Sequence, residues 1–131
     1  MVESSDLLFD TGCLIDIYHG RERIRPYFEI MLNGDGISYL SVLTEAELWR
    51  GLRIGELARH ETLIARFTVL PLRSEGARLA GSWMQNYFST GLGWVDALIV
   101  ATAQVASISV LTRDKRLAGV LAEEADFVLY D

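Results

Sequence analysis

The run Leu-Leu-Phe-Asp-Thr-Gly-Cys-Leu-Ile-Asp over 7–16 constrains the fold of this chain more than any other stretch. A short apolar segment stops at the carboxylate of Asp10, turns through Thr11 and Gly12, and resumes with apolar residues at helical spacing, as a buried strand feeding a helix does. Asp10 then falls at the carboxyl end of the strand. In open parallel α/β sheets that edge carries the ligand crevice, because the strand-to-helix turns leave it lined by backbone N–H groups and loop side chains.

The alternation continues along the chain. Helices are expected over 13–18, 22–32, 42–55, 56–66, 74–89, 95–106 and 115–121, and strands after the first over 37–40, 67–70, 109–112 and 126–130. Ser41 is placed to cap the helix that follows it, Gly20 and Asn33-Gly34 close two others, and Pro71 ends the third strand. The glycine-rich run over 89–93 leads into a helix apolar on most faces, the pattern of an element in the interior. Strands alternating with helices predict an α/β domain: a central parallel sheet of about five strands, helices on both faces and right-handed crossovers.

Composition sets outer limits. With 131 residues, half of them hydrophobic, and two prolines, the chain reads as one ordered domain over 1–131 that can bury a core without disulfides. Cys13 is the single cysteine, no basic-then-apolar leader precedes the first strand, and the longest apolar stretch, 94–111, is interrupted by Asp96 and Gln104. A cytoplasmic setting with no membrane association is the expectation. The net charge of −6 argues against binding nucleic acid through the whole surface, yet leaves room for a local site. Eleven of the twelve basic residues are arginine, clustered at Arg21, Arg23 and Arg25, at Arg50 and Arg53, and at Arg113 and Arg116 beside Lys115. They are either phosphate- or carboxylate-binding forks or solvated helix faces.

Four acids stand out by position. Asp10 ends the first strand, Glu47 lies within the helix after the second, Asp96 opens the apolar helix, and Asp114 follows the fourth strand. If the first and fourth strands are neighbours, all four can converge on one crevice. Helix capping is the alternative for Asp10, Asp96 and Asp114, and a solvent-facing side chain beside Glu45 is the alternative for Glu47. Two carboxylates about 4 Å apart repel by roughly 4 kcal/mol at an effective dielectric near 20, so a cluster of them calls for a cation. No histidine or cysteine is placed for zinc, and hard oxygen donors point to Mg²⁺ or Mn²⁺, the ions of phosphate chemistry.

The order Phe-Asp-Thr-Gly-Cys-Leu-Ile-Asp, Ser-Val-Leu-Thr-Glu-Ala-Glu-Leu-Trp-Arg-Gly, Trp-Val-Asp-Ala-Leu-Ile-Val-Ala-Thr-Ala and Leu-Thr-Arg-Asp resembles the PIN-domain ribonucleases, most closely the VapC-type toxins of bacterial toxin–antitoxin modules. The resemblance spans the whole chain and implies a three-layer α/β/α PIN-like fold. It matches Asp10 and Asp96 to the two principal metal ligands, Glu47 and Asp114 to the other acids of the site, and Thr112 to a hydroxyl beside it. Glu45 competes with Glu47, which has the Glu-Leu-x-x-Gly setting of the family. It implies Mg²⁺- or Mn²⁺-dependent hydrolysis of RNA to a 5′-phosphate and a 3′-hydroxyl, a homodimer, and a cognate antitoxin wrapped on the helices after the second strand. One departure is Leu117, where the family often carries an aromatic residue.

Leu48, Trp49, Leu52, Leu57 and Ile64 could line a groove for an amphipathic antitoxin helix; for Leu48 and Leu52 the core is the favoured place, while Trp49 is the expected exposed contact. His19 and His60 read as surface histidines near helix ends, Cys13 as a small buried hydrophobe, and Asp16 as a cap, an exposed acid or a residue orienting the site. Two other functions compete with the nuclease. A catalytically silent PIN-like module would bind RNA or protein and cut nothing; a phosphoryl-accepting receiver would need a lysine near the last strand, which 117–131 lacks.

Overall fold

The computed structural model describes residues 6–131. Its elements run β1 (Leu7–Phe9), α1 (Thr11–Tyr18), a 3₁₀ turn (Glu22–Ile24), α2 (Arg25–Leu32), β2 (Ser38–Ser41), α3 (Val42–Arg50), α4 (Leu57–Ile64), β3 (Thr68–Leu70) and α5 (Ser74–Tyr87). A second 3₁₀ turn (Phe88–Thr90), α6 (Trp94–Val105), β4 (Ser109–Thr112), α7 (Lys115–Val120) and β5 (Phe127–Leu129) complete it. All five strands are parallel, in the order β3-β2-β1-β4-β5, with Leu7 opposite both Ser38 and Ser109. The chain therefore steps from β1 outward to β2 and β3, then crosses back to β4 on the other side of β1 and out to β5, so the expected switch point lies at the carboxyl ends of β1 and β4.

The period of two along each strand divides the core into two layers. Leu7, Phe9 and Leu111 face Leu14, Met31 and Leu63 of α1, α2 and α4, whereas Leu8 and Val110 face Ala80, Trp83, Val100 and Leu117 of α5, α6 and α7. Helices thus cover both faces of the sheet in three layers, as expected. Leu117 is 5% exposed in the second core, so it fills apolar volume at the position where the resemblance anticipates an aromatic ring.

The differences from expectation have local causes. The helix expected over 22–32 is a 3₁₀ turn followed by α2, divided next to Pro26, which lacks an N–H and is accommodated only in a first helical turn. The helix expected to end near Gly55 stops at Arg50, capped by Gly51, and Gly55 itself turns with φ +91°. Among the described residues no helix is long and apolar enough to cross a membrane.

Candidate active site

Asp10 is the residue at which β1 becomes α1. Its extended backbone places the side chain over the new helix end, where one carboxylate oxygen accepts from the Thr11 N–H at 2.8 Å and the other from the Thr112 hydroxyl at 2.8 Å. That second bond crosses directly from β1 to β4. The Thr112 oxygen in turn accepts from the Asp114 N–H at 3.0 Å, and Asp114 caps α7 by accepting from the Leu117 N–H at 3.0 Å. Two of the three acids with a capping alternative are therefore caps as well as members of the cluster.

Glu47 reaches the same edge from α3. The Thr11 hydroxyl donates to its Oε1 at 2.7 Å and, its proton so used, lies 3.0 Å from the Thr44 hydroxyl, which supplies the next proton in line. Thr44 is three residues before Glu47, on the same helix face. Thr11 and Thr44 escaped the sequence reading, although the i, i+3 spacing of Thr44 and Glu47 is its one visible signal.

Asp96 differs from the other three. The helix α6 opens at Trp94 with Gly93 as its cap, so Asp96 lies in the first turn and caps nothing. Among the described residues its carboxylate takes part in no hydrogen bond and no ion pair. Burial, followed by the charges of Asp10, Asp114 and Glu47, raises its pKa to about 6, with Arg116 pulling the other way. Asp10 is raised too, by burial above all, against the lowering effect of its Thr112 and Thr11 bonds. The Asp10–Thr112–Asp114 and Thr11–Glu47 hydrogen bonds gather three of the acids at the switch point, near enough to Asp96 for each to disfavour its charge.

Beside it, Asp16 is a buried ion-pair centre, which corrects the expectation of a cap or an exposed acid. It is 1% exposed and accepts from Arg23 Nε at 3.0 Å and Nη2 at 3.1 Å, from Arg113 at 3.0 Å and from the Tyr130 hydroxyl at 2.8 Å. Despite the cost of burial, these donors hold its pKa below the usual carboxylate range. Arg113, between Thr112 and Asp114, lies so close over Gly12 that a Cβ there would stand 3.2 Å from its Nε. His60 is likewise buried, hydrogen-bonded through Nδ1 to the Tyr18 hydroxyl and edge-on to Trp49, so the surface placement expected for it is wrong. His19 is exposed, Leu48 is in the core, Leu52 is half-buried and Trp49 is 49% exposed. The Cys13 thiol is buried, donates to the Leu111 carbonyl and has its pKa pushed up by burial.

The donor set at the crevice is carboxylates with hydroxyls next to them and no sulfur or imidazole, which fits a hard divalent cation by chemistry. As the side chains stand, no group of three acids, histidines or cysteines among the described residues is gathered tightly enough to hold a metal ion.

A parallel sheet with its acids collected at the β1–β4 edge defines an α/β domain of the PIN type, and a PIN domain model matches residues 7–121. Over 110 residues the chain is 34% identical to "Ribonuclease VapC10" of Mycobacterium tuberculosis, covering 81% of this chain and 80% of the relative. A toxin–antitoxin complex from Klebsiella pneumoniae superimposes with a TM-score of 0.75 at 25% identity, over 93% of this chain and 95% of that one. VapBC2 from Rickettsia felis, bound to a DNA fragment from its promoter, shares the fold with a TM-score of 0.80 at 16% identity, over 96% and 99% of the two chains. The chain belongs to the PIN-domain family, among the VapC ribonucleases of toxin–antitoxin modules.

Proposed function

We propose that this chain is a divalent-metal-dependent endoribonuclease, the toxin of a toxin–antitoxin module. The observation that carries the reading is the crevice of Asp10, Glu47, Asp96 and Asp114, in which Asp96 is left without a hydrogen bond or ion pair among the described residues and with its pKa raised by burial and then by its acidic neighbours. Such an arrangement costs stability and is retained where a cation is to be received. Asp10 and Asp96 would hold Mg²⁺ or Mn²⁺, with Glu47 and Asp114 as further ligands or water-positioning groups. The bound cation supplies Lewis acidity toward a phosphoryl oxygen and toward water.

The chain's own groups fix the rest. Thr112 aims Asp10, Thr11 aims Glu47, and both are themselves anchored in secondary structure, so two acids need no reordering when substrate arrives. Hydrolysis joins a water oxygen to phosphorus and breaks the bond to the 3′-oxygen, which takes up a proton, leaving a 3′-hydroxyl and a 5′-phosphate. With Asp10 and Asp96 committed to the cation, Glu47 and Asp114 are the acids left to orient the attacking water.

The partner reading follows from the surface. A groove of about 440 Å³ runs between α1, α2 and α4, with Ile17, Phe28 and Leu63 at its base and Arg59 and Arg66 on it. An amphipathic antitoxin segment with acidic flanks fits that chemistry, and Trp49 and Leu57, both exposed, extend the apolar surface on α3 and α4. A homodimer and a cytoplasmic setting complete the proposal.

The test is to incubate antitoxin-free protein with total RNA in Mn²⁺, in Mg²⁺ and in chelator, beside Asp10→Ala, and to map fragment ends. Discrete metal-dependent cuts ending in 5′-phosphates, absent in the variant, are expected. RNA bound but uncut in every metal would make the chain a PIN-like binding module instead.

A further inference from the structure

A guanidinium stands at the acidic crevice without joining it. Arg116, in the first turn of α7, lines a small cavity together with Asp96, Asp114 and the Gly91–Gly93 loop. Four carboxylates nearby would draw a free arginine into an ion pair, yet Arg116 forms none among the described residues. Its Nη2 donates instead to the Thr90 carbonyl at 2.8 Å. The side chain lies directly over Gly91, where a Cβ would come within 2.5 Å of Nη2, and Gly91 has a φ of +82° that also favours glycine. The loop thus holds one N–H of the fork and leaves four donors unspent on the crevice side of α7.

We propose that Arg116 is the residue that receives an RNA phosphate at this site, held off the acids by the Thr90–Gly91 loop so that its fork stays available to the substrate strand. The inference rests on the nuclease reading and extends it to the substrate's contacts. A divalent cation offsets only half the formal charge of four carboxylates, so an approaching polyanion still meets net repulsion at this edge. A planar cation that is not neutralised by those acids relieves it and gives bidentate geometry to one phosphate. Arg113 is instead tethered to Asp16, which it shares with Arg23, and is not among the residues lining this cavity. Lys115 faces the chain end, near Asp131.

The decisive variant is Arg116→Gln, which keeps an N–H donor for the Thr90 carbonyl and loses the charge. Binding of a fluorescent single-stranded RNA oligonucleotide is measured against salt with Ca²⁺ supplied in place of Mn²⁺ to offset the acids, and KM and kcat are measured in Mn²⁺. We expect the dissociation constant and KM to rise about tenfold with kcat within a factor of about three, and the log–log salt slope to fall by about 0.7, the loss of one phosphate contact on a single strand. Arg116→Lys should restore the slope. If Arg116→Gln binds RNA with the wild-type constant and slope, or loses only kcat and melting temperature, the residue is a loop tether and the proposal is overturned. If the wild-type chain neither binds nor cuts RNA, the nuclease reading itself has failed, and the assignment falls with it.

Discussion

Asp96 is where stability and function pull in opposite directions. Its pKa of about 6 exceeds that of a carboxylate in an unfolded chain, about 3.9, because burial and then Asp10, Asp114 and Glu47 disfavour its charge. Between those values the folded state keeps a proton that the unfolded state has released, so in the absence of metal the stability due to Asp96 falls as pH rises through 4–6. Asp96→Asn should therefore stabilise the protein in chelator by on the order of 1–2 kcal/mol at pH 8, discounted for its partial exposure, and by little at pH 4. Thermal unfolding of the two proteins at both pH values checks this; equal melting temperatures at pH 8 would show that the crevice exerts no repulsion. RNA cleavage by the same variant should be lost.

At the scale of elements, Asp16 ties four segments together: α1 itself, the 3₁₀ turn through Arg23, the β4–α7 loop through Arg113 and the end of the chain through Tyr130. Asp16→Asn keeps the shape but removes the counter-charge of two guanidiniums that are each about one-third exposed and partly rehydrate, so a loss of roughly 2 kcal/mol is expected, below the usual cost of breaking a buried pair. Its pKa is depressed, so this contribution is complete above the unfolded value near 4 and disappears as pH falls through the folded one. Urea denaturation should show the deficit at pH 7 and its shrinkage below about pH 4; a deficit of equal size at both would assign the role to packing. Asp16 also explains what the sequence leaves illegible. Asp10 announces itself because an apolar strand ends on it, and Glu47 and Asp114 stand beside recognisable helix signals. Asp16 shares the local pattern of any helix acid, and its partners Arg113 and Tyr130 lie 97 and 114 residues away along the chain. His60 is equally opaque: only the folding of α4 against α1 brings Tyr18 to it. The strands and the switch point were legible because period two and strand-ending polar residues are local, whereas helix ends near Pro26 and Gly51 depend on single backbone constraints.

For the whole molecule, with a net charge of −6 and four acids at one sheet edge, the proposed cation binding would be linked to folding. A cation that binds the folded crevice and not the dispersed acids of the unfolded chain stabilises by RT ln(1 + [L]/Kd), about 2.7 kcal/mol at a hundred times the dissociation constant. For a domain of this size that corresponds to a rise in melting temperature on the order of 10 °C. Mg²⁺ or Mn²⁺ should produce such a rise over chelator, and potassium chloride at the same ionic strength should not, since screening alone acts on every surface charge. The rise should shrink from pH 7 to pH 5, because Asp96 then holds the proton that a cation must displace. Asp10→Ala combined with Asp96→Asn should abolish it while leaving the response to potassium chloride intact. Were the wild-type protein to melt at the same temperature in chelator and in excess of either ion, the four acids would be a charged edge without a cation, and the chemistry assigned to them would have to be carried by a partner.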